Sequence, residues 1–272
     1  MQPARLRDLH WRRRRSRERG RASHVWRIRG DHLSGEPPPT RSPDGPGRRT
    51  RTLALTLFTL RRLLAYVAAG KPDVEGLELI PASGPLLLCA NHASNYDPLL
   101  LGAAVPRLMH AMAKAELFQN PLLARYLRAC NVFPIRREEA DAAALRTALG
   151  VLKSGGVVVL FPEGHRSHGA RMRPFSRGAG YLARRSGAPV LPCAIWGTER
   201  VLPRGKLRPR RADVHLRFGP TFFPVGADSE AATRDLERRV AALLPPERRP
   251  SADGDQGDGE DQGAVDGDLA AR

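Results

Sequence analysis

The feature that most constrains this chain is an alternation. Between residues 74 and 224, short apolar runs recur and are separated by stretches with helical spacing. Runs of strand length fall at 74–80, 86–90, 109–113, 132–136, 157–161, 190–195 and 214–218. Two of them, LLLCA at 86–90 and VVVLF at 157–161, are apolar throughout, as strands covered on both faces are. Helical patterns lie near 115–129, 139–153 and 176–186, with a last one near 229–244. Strands joined through helices of that length need crossover connections. The pattern predicts a single α/β domain at 71–248, with a mixed, largely parallel sheet flanked by helices.

The flanks are of another kind. Residues 1–50 hold fourteen Arg against five acids (+9), and residues 251–272 hold seven acids against one Arg (−6). Neither stretch has the apolar periodicity a core requires, so 1–50 reads as a disordered basic arm and linker and 249–272 as a disordered acidic tail. The formal charge is +17, which leaves +14 on residues 51–250. A domain this basic suits polyanions, and charge alone does not separate nucleic acid, anionic lipid and phosphorylated substrates. In residues 51–70, Leu53, Leu57, Leu60, Leu64 and Val67 follow at spacings of four and three, with Arg61 and Arg62 beside them. That is the signature of an amphipathic helix suited to a membrane interface, and equally of a helix packed on the domain. No run reaches the ~18 uninterrupted apolar residues of a spanning helix, and no apolar segment of the kind found in secretory leaders follows the basic start. Cys89, Cys130 and Cys193 lie far apart in apolar runs, which predicts buried structural thiols and no metal site.

Candidate chemistry sits at strand ends, where α/β folds place ligands. The first block, Asn91-His92-Ala93-Ser94-Asn95-Tyr96-Asp97, follows LLLCA. A histidine there can serve as general base, and an aspartate five residues on can fold back through a turn or helix start to fix the ring's tautomer. No G-x-S-x-G elbow is present and no cysteine accompanies the histidine, so a substrate hydroxyl is the expected nucleophile. The second block, Asn131-Val132-Phe133-Pro134-Ile135-Arg136-Arg137, delivers two arginines at a strand end. The third is Phe161-Pro162-Glu163-Gly164-His165-Arg166-Ser167, where Arg166 offers a fork suited to phosphate and Glu163 an acceptor for a polyol. The fourth is Val190-Leu191-Pro192-Cys193-Ala194.

In this order the four blocks resemble those of the glycerolipid acyltransferases, of the 1-acyl-sn-glycerol-3-phosphate acyltransferase type, over about 74–224. The resemblance implies His92 as catalytic base with Asp97 as its partner, and acceptor binding by Arg137, Glu163, Gly164 and Arg166. Pro192 matches the fourth block. Two positions depart from the family pattern: Asn131 stands where Gly is usual, and His165 where Thr is usual, so both are candidates for specificity. The implied reaction moves a fatty acyl group from acyl-CoA or acyl-carrier protein to a lysophospholipid hydroxyl, making phosphatidic acid, with no cofactor and no metal. An anionic membrane surface is an expected partner and nucleic acid is not. The expected location is the cytoplasmic face of the plasma membrane, peripheral or monotopic. Other lysophospholipids, glycerol 3-phosphate or a glycolipid remain open as acceptors, as does a lipid-binding homologue without turnover.

Overall fold

The computed structural model describes residues 70–136, 141–167, 171–203, 205–206, 208–225 and 228–250. The arm at 1–50, the amphipathic segment up to residue 69, the tail from 251 and Arg137 lie outside the described residues.

The expected mixed, largely parallel sheet is present, flanked by helices. Its strands are β1 (Asp73–Glu75), β2 (Leu86–Ala90), β3 (Met109–Lys114), β4 (Val132–Ile135), β5 (Val157–Leu160), β6 (Val190–Trp196) and β7 (His215–Phe218). They lie in the order β1-β7-β6-β2-β5-β3-β4. β2 through β6 run parallel, whereas β7 is antiparallel to β6 and β1 is parallel to β7. The helices are α1 (Asp97–Ala104), α2 (Pro121–Ala129), α3 (Ala142–Lys153), α4 (Arg177–Ser186), α5 (Thr198–Val201) and α6 (Ser229–Leu243).

β2 is central, and every residue of it is buried. One face packs Leu86, Leu88 and Val159 against Leu100 and Leu101 of α1. The other packs Leu87 and Val158 against side chains of α3, α4 and α6, among them Leu152, Leu182 and Leu236. A fully buried Leu is worth about 1.5–3 kcal/mol relative to exposure, so these leucines rank among the larger contributions to stability.

Three elements differ from the sequence expectation. The first strand stops at Glu75 instead of residue 80, and a 3-10 turn follows at Leu77–Leu79. Gly76 makes the break: it has φ +79, and a Cβ there would collide with the Phe218 carbonyl. The helix expected over 115–129 is a 3-10 turn (Ala115–Phe118) followed by α2, because Asn120 caps α2 through the Leu122 and Leu123 N–H groups and Pro121 takes the first position. α1 had no helical period to read. Five of its eight residues are buried and DPLLLGAA has only one charged position, so it lacks the polar stripe of a surface helix.

Strand order places the site. From β2 the chain moves one way across the sheet to β3 and β4, then returns through β5 to β6 on the other side of β2. The carboxyl ends of β2 and β5 therefore adjoin where the direction of winding reverses, the usual ligand position in open α/β sheets.

Candidate active site

The first block leaves the end of β2. Asn91 is buried and pairs with a single residue of β6: its Nδ2 donates to the Ile195 carbonyl at 2.8 Å and its Oδ1 accepts the Ile195 N–H at 2.7 Å. The amide thus prolongs the β2–β6 ladder by one side chain and fixes where the next residue, His92, leaves the sheet.

Asp97 opens α1 and is fully buried. Its Oδ2 accepts from His92 Nδ1 at 2.9 Å, from Ala93 N–H at 2.7 Å and from Ser94 N–H at 2.8 Å. The first turn of a helix favours a carboxylate. With Nδ1–H given to Asp97, Nε2 is the imidazole nitrogen left to take a proton. The Phe161 ring stacks on the imidazole with centroids 4.3 Å apart and limits its rotation.

The third block, at the end of β5, holds the backbone of the same histidine. Glu163 Oε1 accepts the His92 N–H at 2.7 Å, and Oε2 accepts the Arg173 N–H at 3.1 Å. Ser167 donates both its N–H and its hydroxyl to the His92 carbonyl, at 2.8 and 3.1 Å. Gly164, at φ +72, turns the loop between these two grips. Burial pushes the Glu163 carboxyl up to about 8, the Asp97 charge adds to that, and the two backbone donors oppose it. His92 is therefore fixed at the ring edge, the ring face and both sides of its backbone.

No side chain described here is placed as a covalent nucleophile for that ring. The hydroxyls of Ser94 and Ser167 donate to the carbonyls of Leu202 and His92. Cys89 and Cys193 are buried, and burial pushes both thiols up, away from the thiolate form. Cys130 is half-buried at the end of α2, towards the opposite edge of the sheet. A fixed general base without a protein nucleophile is suited to activating a hydroxyl brought by the substrate.

The remaining sequence candidates are placed as follows. Arg166 is half-buried, next to Ser167. His165 is exposed on the same loop. Arg136 is exposed at the carboxyl end of β4, where its N–H reaches Asp141 at 2.8 Å. Asn131 stands at the other end of β4, on the opposite edge of the sheet from His92. It holds φ 58, a left-handed conformation that Gly takes freely and Asn tolerates better than most residues, which gives the amide a backbone reason. Pro192 lies inside β6, in register with Cys89. Its carbonyl accepts the Gly219 N–H just beyond the end of β7, so the donor it lacks faces a point where the ladder has ended. The sequence contained Asn91, Phe161 and Ser167 within its blocks but gave no sign of their roles, because their partners lie in other blocks. Among the described residues no group of three or more His, Cys, Asp or Glu is placed to hold a metal.

The chain is similar to known proteins in sequence and in fold. The family model described as Acyltransferase matches residues 71–196. The chain is 32% identical over 178 residues to the 1-acyl-sn-glycerol-3-phosphate acyltransferase of Bacillus subtilis (strain 168), covering 64% of this chain and 88% of that one. It is 31% identical over 138 residues to the chloroplastic 1-acyl-sn-glycerol-3-phosphate acyltransferase BAT2 of Brassica napus, covering 50% of this chain and only 40% of the plastid protein. The crystal structure of the 1-acyl-sn-glycerophosphate (LPA) acyltransferase PlsC from Thermotoga maritima matches with a TM-score of 0.61 at 28% identity, over 71% of this chain and 80% of that one.

Proposed function

The chain belongs to the glycerolipid acyltransferase family, of the 1-acyl-sn-glycerol-3-phosphate acyltransferase type, and from that premise we propose that it acylates the free hydroxyl of 1-acyl-glycerol-3-phosphate to form phosphatidic acid. The observation that carries this reading is the buried His92–Asp97 pair with, among the described residues, no side chain placed beside it as a nucleophile. His92 Nε2 removes the hydroxyl proton as the oxygen attacks the thioester carbonyl of acyl-CoA or acyl-carrier protein. Asp97 stabilises the imidazolium that forms. The tetrahedral intermediate collapses, the C–S bond breaks, and the thiolate leaves with the proton returned by His92. No acyl-enzyme forms and no cofactor takes part. Arg166 and Arg137 supply the positive charge for the acceptor phosphate, and Glu163 acts as a positioning residue through the His92 backbone. The reaction takes place at an anionic membrane surface, on the cytoplasmic face of the plasma membrane, with the protein peripheral or monotopic. The Leu- and Arg-bearing segment 51–69 supports that location.

The test is acyl transfer by purified protein, with acyl-CoA and acyl-carrier protein as donors and lysophosphatidic acid, other lysophospholipids and glycerol 3-phosphate as acceptors. Transfer to lysophosphatidic acid should fall by about 10²–10⁴ in His92→Ala with the fold unchanged by circular dichroism. Near-normal turnover in that variant would remove the general-base role.

A further inference from the structure

After α6 the chain returns to the catalytic turn. Leu244 is buried, and Pro246–Arg248 form a 3-10 turn. This short strap is closed on itself: the Arg248 N–H donates to the Pro245 carbonyl at 2.9 Å, and Arg249 Nε donates to the Leu244 carbonyl at 3.0 Å. Pro245 and Pro246 fix their own φ and stiffen it further. Arg248 then makes contacts with two different segments. Its carbonyl accepts the Met172 N–H at 2.9 Å, in the loop that follows β5. Its Nη1 donates to Glu199 Oε1 at 3.1 Å, in α5, which follows β6. β2 lies between β5 and β6, so Arg248 bridges the end of the strand that leads into His92. Asn91 and Ala93, on either side of His92, line a small cavity together with Met172 and Arg248.

Both bridged segments hold the catalytic turn. On the β5 side, the Arg173 N–H, one residue after Met172, shares the Glu163 carboxyl with the His92 N–H. On the β6 side, the Ser94 hydroxyl donates to the carbonyl of Leu202, the residue that caps α5, at 3.2 Å. The Arg248–Glu199 pair is also sheltered. Its side chains are 17% and 26% exposed, against 83% and 53% in the surface pair Arg177–Glu230. A sheltered pair is screened less by water and salt, so it can hold two segments where a surface pair contributes little. We propose that Arg248 is a positioning residue for His92: it clamps the loop after β5 to the helix after β6 across the end of β2, and so fixes where the imidazole stands. The kinetic consequence rests on the acyltransferase reading; the clamp rests on the fold.

The test uses the full-length chain. Arg248→Met keeps the aliphatic stem and loses the charge. Transfer from acyl-CoA to lysophosphatidic acid should then lose roughly 10- to 10²-fold in kcat, the scale of misplacing a group by up to an ångström, with acceptor KM little changed. Only one nitrogen of Arg248 meets Glu199, so an ammonium can replace it, and Arg248→Lys should restore most of kcat. Arg239→Met controls for stability alone. Arg239 lies on α6, covers the Phe222 ring at 4.0 Å and pairs with Asp235, so its loss should lower Tm and leave kcat as in the wild type. Wild-type kcat in Arg248→Met, an equal loss in Arg239→Met, a loss confined to KM, or no recovery in Arg248→Lys overturns the proposal. Amide hydrogen exchange is read in the same variants. Relative to the buried amides of β2, the His92, Met172 and Arg173 N–H groups should exchange faster in Arg248→Met and unchanged in Arg239→Met. If the wild type transfers no acyl group to any acceptor, the acyltransferase reading fails and exchange alone decides the clamp: a selective rise upholds it, and unchanged protection overturns it.

Discussion

The His92–Asp97 turn and the arginine end of β4 are both strand-end blocks on the same edge of the sheet, yet they are built in opposite ways. At the turn, one buried carboxylate oxygen gathers three donors, and the His92 backbone is held by Glu163 on one side and Ser167 on the other. At the end of β4, Arg136 is exposed and its N–H is tied to the cap of α3, with the side chain facing solvent. The two tasks demand the difference. Proton transfer needs a nitrogen fixed within hydrogen-bond reach of a hydroxyl, and an error of an ångström is costly. A phosphate is attracted over a longer range, so a cation can reach it on a flexible stem.

That contrast predicts unequal responses to substitution. Asp97→Asn should have the largest effect. The amide oxygen can keep all three hydrogen bonds while the negative charge is lost, so kcat should fall on the order of 10²-fold or more with little change in acceptor KM. A loss confined to KM would show that the pair binds substrate instead of stabilising charge.

Glu163→Gln comes next. Only one of its two backbone donors keeps an acceptor, and an unsatisfied buried donor costs about 1–3 kcal/mol, so Tm should drop and kcat fall with it. The effect should depend on pH. The folded carboxyl titrates near 8 against an ordinary 4.5, so the native state holds its proton more tightly. The wild type then loses stability as pH rises from about 4.5 to about 8, and the glutamine variant does not lose this part. The gap in Tm should narrow across that window, and a constant gap would show that Glu163 is ionised throughout.

The smallest effect belongs to the open region. Asp141 accepts from Ala143 and Ala144 at the start of α3 and from Arg136, which holds its carboxyl below the usual range chiefly through the Arg136 N–H. Asp141→Ala should cost about 1 kcal/mol, read from denaturant unfolding, and leave kcat unchanged. A large fall in kcat would mean that the arginine arm is as tightly built as the histidine turn.

Much of the fold was legible because its signals are local. Alternating apolar runs marked all seven strands, and His92 with Asp97 stood five residues apart in a turn. The sequence reading misses the caps Asn120 and Asp141, so its expected helices begin too early, at 115 and 139. α1 was not legible, since a helix buried on most sides has no polar stripe to set its period. Asn131 drew attention as a departure from pattern, and only its φ and its place at the far end of β4 showed a backbone reason for it.

The sequence by itself determined the strands, most of the helices and the residue types offered at their ends, because hydrophobic period and turn chemistry act over a few residues. The tertiary structure decided which blocks meet. Glu163 reaches the backbone of His92 across 71 positions, and Asn91 reaches Ile195 across 104. Those meetings depend on β5 and β6 flanking β2, and that order is set by packing two faces of one sheet at once, a condition that no stretch of the chain carries alone.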